Sequence, residues 1–205
     1  MGLSVIIVLM LTGLNYTETM IWFAPVGLVA LSYTLTVFPY HGGWVRLRDI
    51  PYLKVFLIVA AVTYVTCCLP FLYYGLGEVT VGMPAVLGVF SRALFLFGIT
   101  LPFDIRDLDF DQKTNLKTIP GRVGVKNTKT LSLMLLALFL AIETISHFYY
   151  GTSQAVYIAL LASGIIAGAF VVRAKPNGSE YYYSFGLEGT MIVQLLLVIV
   201  ASQCY

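Results

Sequence analysis

Residues 80–111 read TVGMPAVLGVFSRALFLFGITLPFDIRDLDFD. The part from 80 to 102 carries a single charged side chain, Arg92. As a helix it would span about 35 Å at 1.5 Å per residue, enough for a hydrocarbon core of about 30 Å. The remainder, Phe103-Asp104-Ile105-Arg106-Asp107-Leu108-Asp109-Phe110-Asp111, is the most acidic segment of the chain. If the helix continues past Pro102, Asp104, Asp107 and Asp111 fall on one narrow stripe at 100° per residue, and Asp109 points nearly opposite. A membrane span that ends in a row of carboxylates therefore frames the rest of the reading.

Outward from this stretch the pattern repeats. Apolar runs at 2–14, 20–39, 52–74, 80–102, 129–150, 154–173 and 184–204 predict about seven spans, an all-α polytopic transmembrane bundle in one domain covering 1–205. Most of these runs are bounded by prolines (Pro39, Pro51, Pro70, Pro102, Pro120, Pro176), whereas Pro25 and Pro84 fall inside runs, where membrane helices tolerate a kink. The 205 residues are 59% hydrophobic and 11% charged, against about a quarter charged in soluble domains. A compact soluble fold of this size cannot hide so much apolar surface, so the lipid bilayer is the solvent that suits it. A net charge of +2 gives no reason to expect nucleic acid. Cys67, Cys68 and Cys204 sit in apolar runs without metal-ligand spacing and read as packing residues.

Basic residues set the orientation. The connection 40–54 holds Arg46, Arg48 and Lys54; the connection 103–129 holds Arg106, Lys113, Lys117, Arg122, Lys126 and Lys129; the connection 173–183 holds Arg173 and Lys175. The alternate turns hold no Lys or Arg. The positive-inside rule then predicts an inner or plasma membrane protein with a cytoplasmic N-terminus, a cytoplasmic Asp-rich loop at 103–128 and an outside C-terminus. The first run is only about 20 Å long as a helix and has no positive lead-in, which makes it a poor signal peptide. It is expected either to lie obliquely or to belong to an element that was once longer, and the second is favoured.

Three carboxylates on one stripe repel each other unless a cation lies among them. Hard oxygen ligands suit magnesium, which takes one or two carboxylates and completes its shell with water and substrate phosphate. Lys113, Lys117, Arg122 and Lys126 follow at once. Carboxylates for a metal beside cations for phosphate oxygens is the polarity a diphosphate ester requires. The bland alternative is a solvated acidic loop balanced by its lysines; the DxxDxxxD spacing and its place at a helix end weigh against it.

The segment DIRDLDFDQKTNLKTIPGRVG resembles the second aspartate-rich motif of the UbiA superfamily of intramembrane prenyltransferases. That motif is DxxDxxxD, then a Lys-Thr pair and a glycine before the next span; Lys117, Thr118 and Gly124 stand where those would. The family has nine spans with this motif after the sixth, so the chain resembles it with the first two spans absent. The resemblance implies that Asp104, Asp107 and Asp111 hold magnesium and act in catalysis. It also implies that Lys113, Lys117 and Arg122 bind the diphosphate of a prenyl diphosphate, and that the isoprenoid tail lies among the helices. The activity implied is transfer of the prenyl group to an acceptor within the membrane. The family's first acidic motif, NDxxDxxxD, has no counterpart here; before Asp49 the only acid is Glu18. A family YxxxK motif maps onto Tyr33 to Val37, which lacks the lysine, leaving Arg46, Arg48 or Lys54 to replace it. Three explanations fit: a fragment of a longer protein, a partner chain or missing N-terminal segment that completes the site, or a non-catalytic relative that binds isoprenoid.

Other polar residues inside the runs are functional candidates by default. Arg92 and Glu143 lie at similar depth and are expected to pair; His147 reads as interfacial, and Glu188 as snorkelling. A transporter or receptor-like seven-helix protein is the third reading, disfavoured because the polar residues cluster at one face.

Overall fold

The computed structural model describes residues 17–36, 38–40, 43–47, 50–70, 82–114 and 116–203. The run at 2–14, Arg48, Asp49 and Cys204 lie outside the described residues. In chain order the elements are α1 (Thr17–Thr34), β1 (Phe38–Tyr40), β2 (Gly43–Val45), α2 (Leu53–Thr63), α3 (Met83–Arg106), α4 (Leu108–Lys113), α5 (Ile119–Val123), α6 (Val125–Tyr150), α7 (Gln154–Arg173) and α8 (Gly189–Gln203). A π-helical turn, Tyr64–Cys68, prolongs α2, and another, Tyr182–Glu188, leads into α8.

Four helices are long and apolar enough to cross a membrane: Met83–Arg106, Val125–Tyr150, Gln154–Arg173 and the joined Tyr182–Gln203. Among the described residues this is fewer than the seven runs of the sequence. The run 20–39 yields a helix that stops at Thr34, whose hydroxyl donates to the carbonyls of Ala30 and Leu31. The chain then forms an antiparallel ribbon, Phe38 opposite Val45 and Pro39 opposite Trp44. Pro39 disfavours helical geometry at the residue before it, in keeping with an extended chain there. Among the described residues the bundle is therefore helical apart from this one ribbon. The connection expected as a loop over 103–128 is largely helical too, since α3 runs four residues past Pro102 and α4, α5 and the first turn of α6 follow.

Helix α3 is central, packing most extensively along α6 and also against α2, while α6 packs on α7 and α7 on α8. Without a hydrophobic force between helices in lipid, small residues let them approach closely. A Cβ at Gly98 of α3 would stand 2.8 Å from Leu136 Cγ of α6, and one at Gly164 of α7 only 2.6 Å from Leu140 Cδ2. Phe95, Ile99, Phe139, Ala167, Val171 and Leu187 form the core between them. Outward, Phe148 and Phe185 are each 76% exposed, a surface suited to acyl chains and not to water.

Candidate functional site

The stripe of carboxylates is built because helical hydrogen bonding runs through the Asp-rich stretch almost unbroken. The Asp107 amide donates to Phe103 O at 3.0 Å and the Asp111 amide to Asp107 O at 2.9 Å. Asp107 itself is a slight bend (φ −85°, ψ 3°) where α3 passes into α4. Asp104 and Asp111 turn inward and are buried, whereas Asp109 turns away and accepts a 2.6 Å bond from Asn177 Nδ2.

The cation facing this stripe is Lys54, the second residue of α2. Its Nζ lies 3.3 Å from Asp104 Oδ1 and 3.8 Å from Asp107 Oδ2. Arg106 holds Asp107 from the other side, Nε to Oδ1 at 2.7 Å and Nη2 to Oδ2 at 3.2 Å. Asp111 differs. Its Oδ2 is buried with no hydrogen-bond partner, and burial pushes its carboxyl above the usual carboxylate range, Lys54 opposing and Asp104 and Asp107 adding to the shift. Of Arg46, Arg48 and Lys54, Lys54 is thus the one that the described residues set against the aspartates. Arg46 makes no ion pair among the described residues, and Arg48 lies outside them. An ionisable residue at the start of an apolar run was the signal in the sequence.

Beside the stripe, a cavity of about 850 Å³ is lined by Pro51, Tyr52, Gln112, Lys117, Thr118 and Arg122. Leu116 N donates to Asp111 O at 2.8 Å, so the chain passes directly from the last aspartate into this wall. Thr118 is extended (φ −113°, ψ 164°), as is usual for the residue capping a helix start, here that of α5, and among the described residues its buried Oγ1 has no partner. Tyr52 sits at φ 64°, a conformation uncommon for a side chain of its size, and its amide donates to Lys117 O at 3.2 Å. The bond between Tyr52 and Lys117 ties the start of α2 to the basic segment. Sequence reading did not single out Tyr52, which has no pattern of its own, and named Thr118 only as half of the Lys-Thr pair. Of the expected diphosphate ligands, Lys117 and Arg122 share this cavity, while Lys113 is exposed at the end of α4 and is not in its wall.

The loop after α7 braces the site. Tyr183 is fully buried, its hydroxyl donating to Lys175 O at 2.7 Å and accepting from Lys175 N at 2.9 Å. The Arg106 guanidinium lies over the rings of Phe103 and Tyr183, 5.4 and 5.5 Å from their centroids, and Asn177 N donates to Arg106 O at 3.3 Å.

The expected ion pair between Arg92 and Glu143 is not formed. Arg92 donates to Gln194, and Glu143 accepts from Ser91. Neutral side chains of α8 and α3 reach the two charges first. His147 stacks on Tyr157 at 4.4 Å and its Nδ1 meets Thr152 O at 2.8 Å, fastening the turn between α6 and α7. Glu188 is exposed.

Among the described residues no three His, Cys, Asp or Glu side chains converge closely enough to hold a metal ion by themselves. The stripe has the ammonium of Lys54 at its upper end and one unpartnered carboxylate oxygen at its lower end. Comparison with protein-family models, with characterised proteins and with solved structures yields no match.

Proposed function

We propose that this chain is a UbiA-like intramembrane prenyltransferase that handles a prenyl diphosphate with magnesium at the end of α3. Seven spans are part of the same proposal, with the N-terminus and the Asp-rich segment cytoplasmic and the C-terminus outside. The observation that carries the reading is the unpartnered Asp111 oxygen, on one stripe with Asp104 and Asp107; Gln112, next in the chain, lines a cavity whose wall also holds Lys117 and Arg122. The donor set suits a magnesium–diphosphate pair better than a bare ion, since magnesium accepts one or two carboxylates and fills its shell from phosphate and water. Asp107 and Asp111 would hold the ion, which when bound offsets the charge of the diphosphate as it leaves.

The chain's own residues do the rest. Lys117 and Arg122 receive phosphate oxygens as charge-assisted donors, and the Thr118 hydroxyl supplies a neutral one. Lys54 aims Asp104 and Asp107, and Arg106 fixes the second of these by a two-point contact. The apolar faces of α2 and α3 exclude water from the isoprenoid. A second reading, a protein that binds isoprenoid diphosphate without turning it over, is favoured by the ammonium already set among the carboxylates, where a catalytic metal would be wanted.

The test is binding of farnesyl diphosphate to the full chain in lipid nanodiscs, with and without magnesium, alongside release of inorganic diphosphate on adding acceptors. Magnesium-dependent binding, abolished by Asp107→Ala and by chelation, supports the proposal. Binding without release under any acceptor favours the second reading, and no binding at all would sink both.

A further inference from the structure

Twelve residues before Asp104, about 18 Å along the helix axis, α3 carries a second polar group inside a different cavity. This cavity, of about 580 Å³, opens between α3, α6, α7 and α8. Thr66 and Cys67 of the π-helical turn after α2 also line it, the Thr66 hydroxyl already donating to Val62 O at 2.8 Å; four further polar side chains reach it: Ser91 and Arg92 from α3, Glu143 from α6 and Gln194 from α8. The rest of the wall is mainly aliphatic, with Leu160 and Met191 among its members.

The four are held in two separate sets. Arg92 Nη1 donates to Gln194 Oε1, whose Nε2 donates in turn to Ser163 Oγ at 3.3 Å, and Ser163 donates to Leu160 O at 2.8 Å. Ser91 Oγ donates to Glu143 Oε1. Arg92 forms no ion pair among the described residues, and its guanidinium leans over Phe95 at 5.7 Å. A guanidinium has five donors, and a carboxylate accepts at two oxygens. Among the described residues, most of the donors of Arg92 and one oxygen of Glu143 have no hydrogen-bond partner.

Charged groups at such a depth are costly unless something satisfies them. The two charges here sum to zero. An ionised ligand head would be repelled by one of them, and a hydrocarbon would satisfy neither. A hydroxyl matches both, because it accepts and donates through one oxygen. The volume lies within the range of about 300–1,000 Å³ common to small-molecule sites. We propose that this cavity binds a membrane-soluble long-chain alcohol, its oxygen accepting from Arg92 and its proton directed to Glu143, with the hydrocarbon along Leu160 and Met191. The site is distinct from the aspartate stripe and stands whether or not the chain turns over a diphosphate.

Gly88 offers a clean way to close it. It lines the cavity, and a Cβ there would meet nothing within 4 Å, so Gly88→Leu fills the space without disturbing the polar groups. The full chain in liposomes is photolabelled with a diazirine-bearing hexadecanol and the labelled peptides are mapped. Saturable labelling of α6 and α8, displaced by plain hexadecanol, is expected. Gly88→Leu and Arg92→Leu should each lower it at least about fivefold, the scale of one lost charge-assisted hydrogen bond. If Arg92→Leu fails to fold, Gly88→Leu decides. The proposal is overturned if palmitic acid or hexadecane displaces the probe as well as hexadecanol does, or if a folded Gly88→Leu labels like the parent chain. Displacement by geranylgeranyl diphosphate with magnesium would also overturn it, since the cavity would then be the far end of the diphosphate site.

Discussion

The two polar clusters of α3 solve the same problem in different ways. At the Asp104 end the charges are answered by charges, Lys54 and Arg106, from α2 and from the helix itself. At the Arg92 end they are answered by neutral groups, Gln194 and Ser91, although an opposite charge lies in the same cavity wall. The difference is one of geometry and not of burial. Asp104 is buried, and Lys54 and Asp107 keep 25% and 28% of their side-chain surface exposed. Arg92 and Glu143 are both half-buried. Hydrogen bonds to an amide and a hydroxyl hold each of these two where it stands, apart from the other.

The sharpest way to break this comparison is Lys54→Met. It strands Asp104, which is 3% exposed, and should cost about 3 kcal/mol of stability, read as a fall in melting temperature in detergent. Adding Asp104→Asn to it should restore most of the loss, and no recovery in the double variant would show that the pair is not the cause. Next, Gln194→Leu removes the acceptor of Arg92 and should cost about 2 kcal/mol; a loss as large as that of Lys54→Met would erase the contrast between the two clusters. Between them on α3, Gly98→Ala drives a methyl into Leu136, 2.8 Å away. Overpacking of about 1–3 kcal/mol is partly offset by a helix-propensity gain of about 1 kcal/mol, so a net loss of about 1 kcal/mol is expected. Leu136→Ala should then be partly rescued by Gly98→Ala in thermal melts.

The smallest effect has the opposite sign. Asp111 binds its proton more tightly when folded, so its contribution to stability is full below the ordinary carboxylate range. It is lost as pH rises through its raised value. Asp111→Asn should therefore stabilise the chain by about 1 kcal/mol or less at neutral pH, with the gain shrinking as the solution is acidified. A gain that instead grows with acidification would contradict the shift. The same variant should weaken magnesium-dependent diphosphate binding, so that stability and binding move in opposite directions, as expected where a carboxylate is kept unpaired for a ligand.

Much of this was legible in the residues. The spacing Asp104, Asp107, Asp111 fixed a common face, and the aspartates keep it across the bend because 100° per residue survives a small kink. Asp109, expected opposite, does turn away. The apolar lengths of 80–102, 129–150 and 154–173 gave spans, with α6 beginning four residues earlier at Val125 because Gly124, at φ 84°, ends the short α5. What hydropathy could not supply was the end of α1 at Thr34, inside the run 20–39, and the ribbon that follows it.

Partnership is a different kind of fact from periodicity. The sequence by itself determined that the chain is a bundle of membrane-compatible helices with one carboxylate stripe, since hydropathy and helical phase are properties of single segments. Only the tertiary structure decided that Lys54 faces that stripe, that Arg92 turns to Gln194 and not to Glu143, and that Lys117 and Arg122 share a wall that omits Lys113. Those choices depend on how helices approach and rotate against one another. That is set by close contacts such as Gly98 on Leu136 and by hydrogen bonds across the bundle, which no single segment encodes.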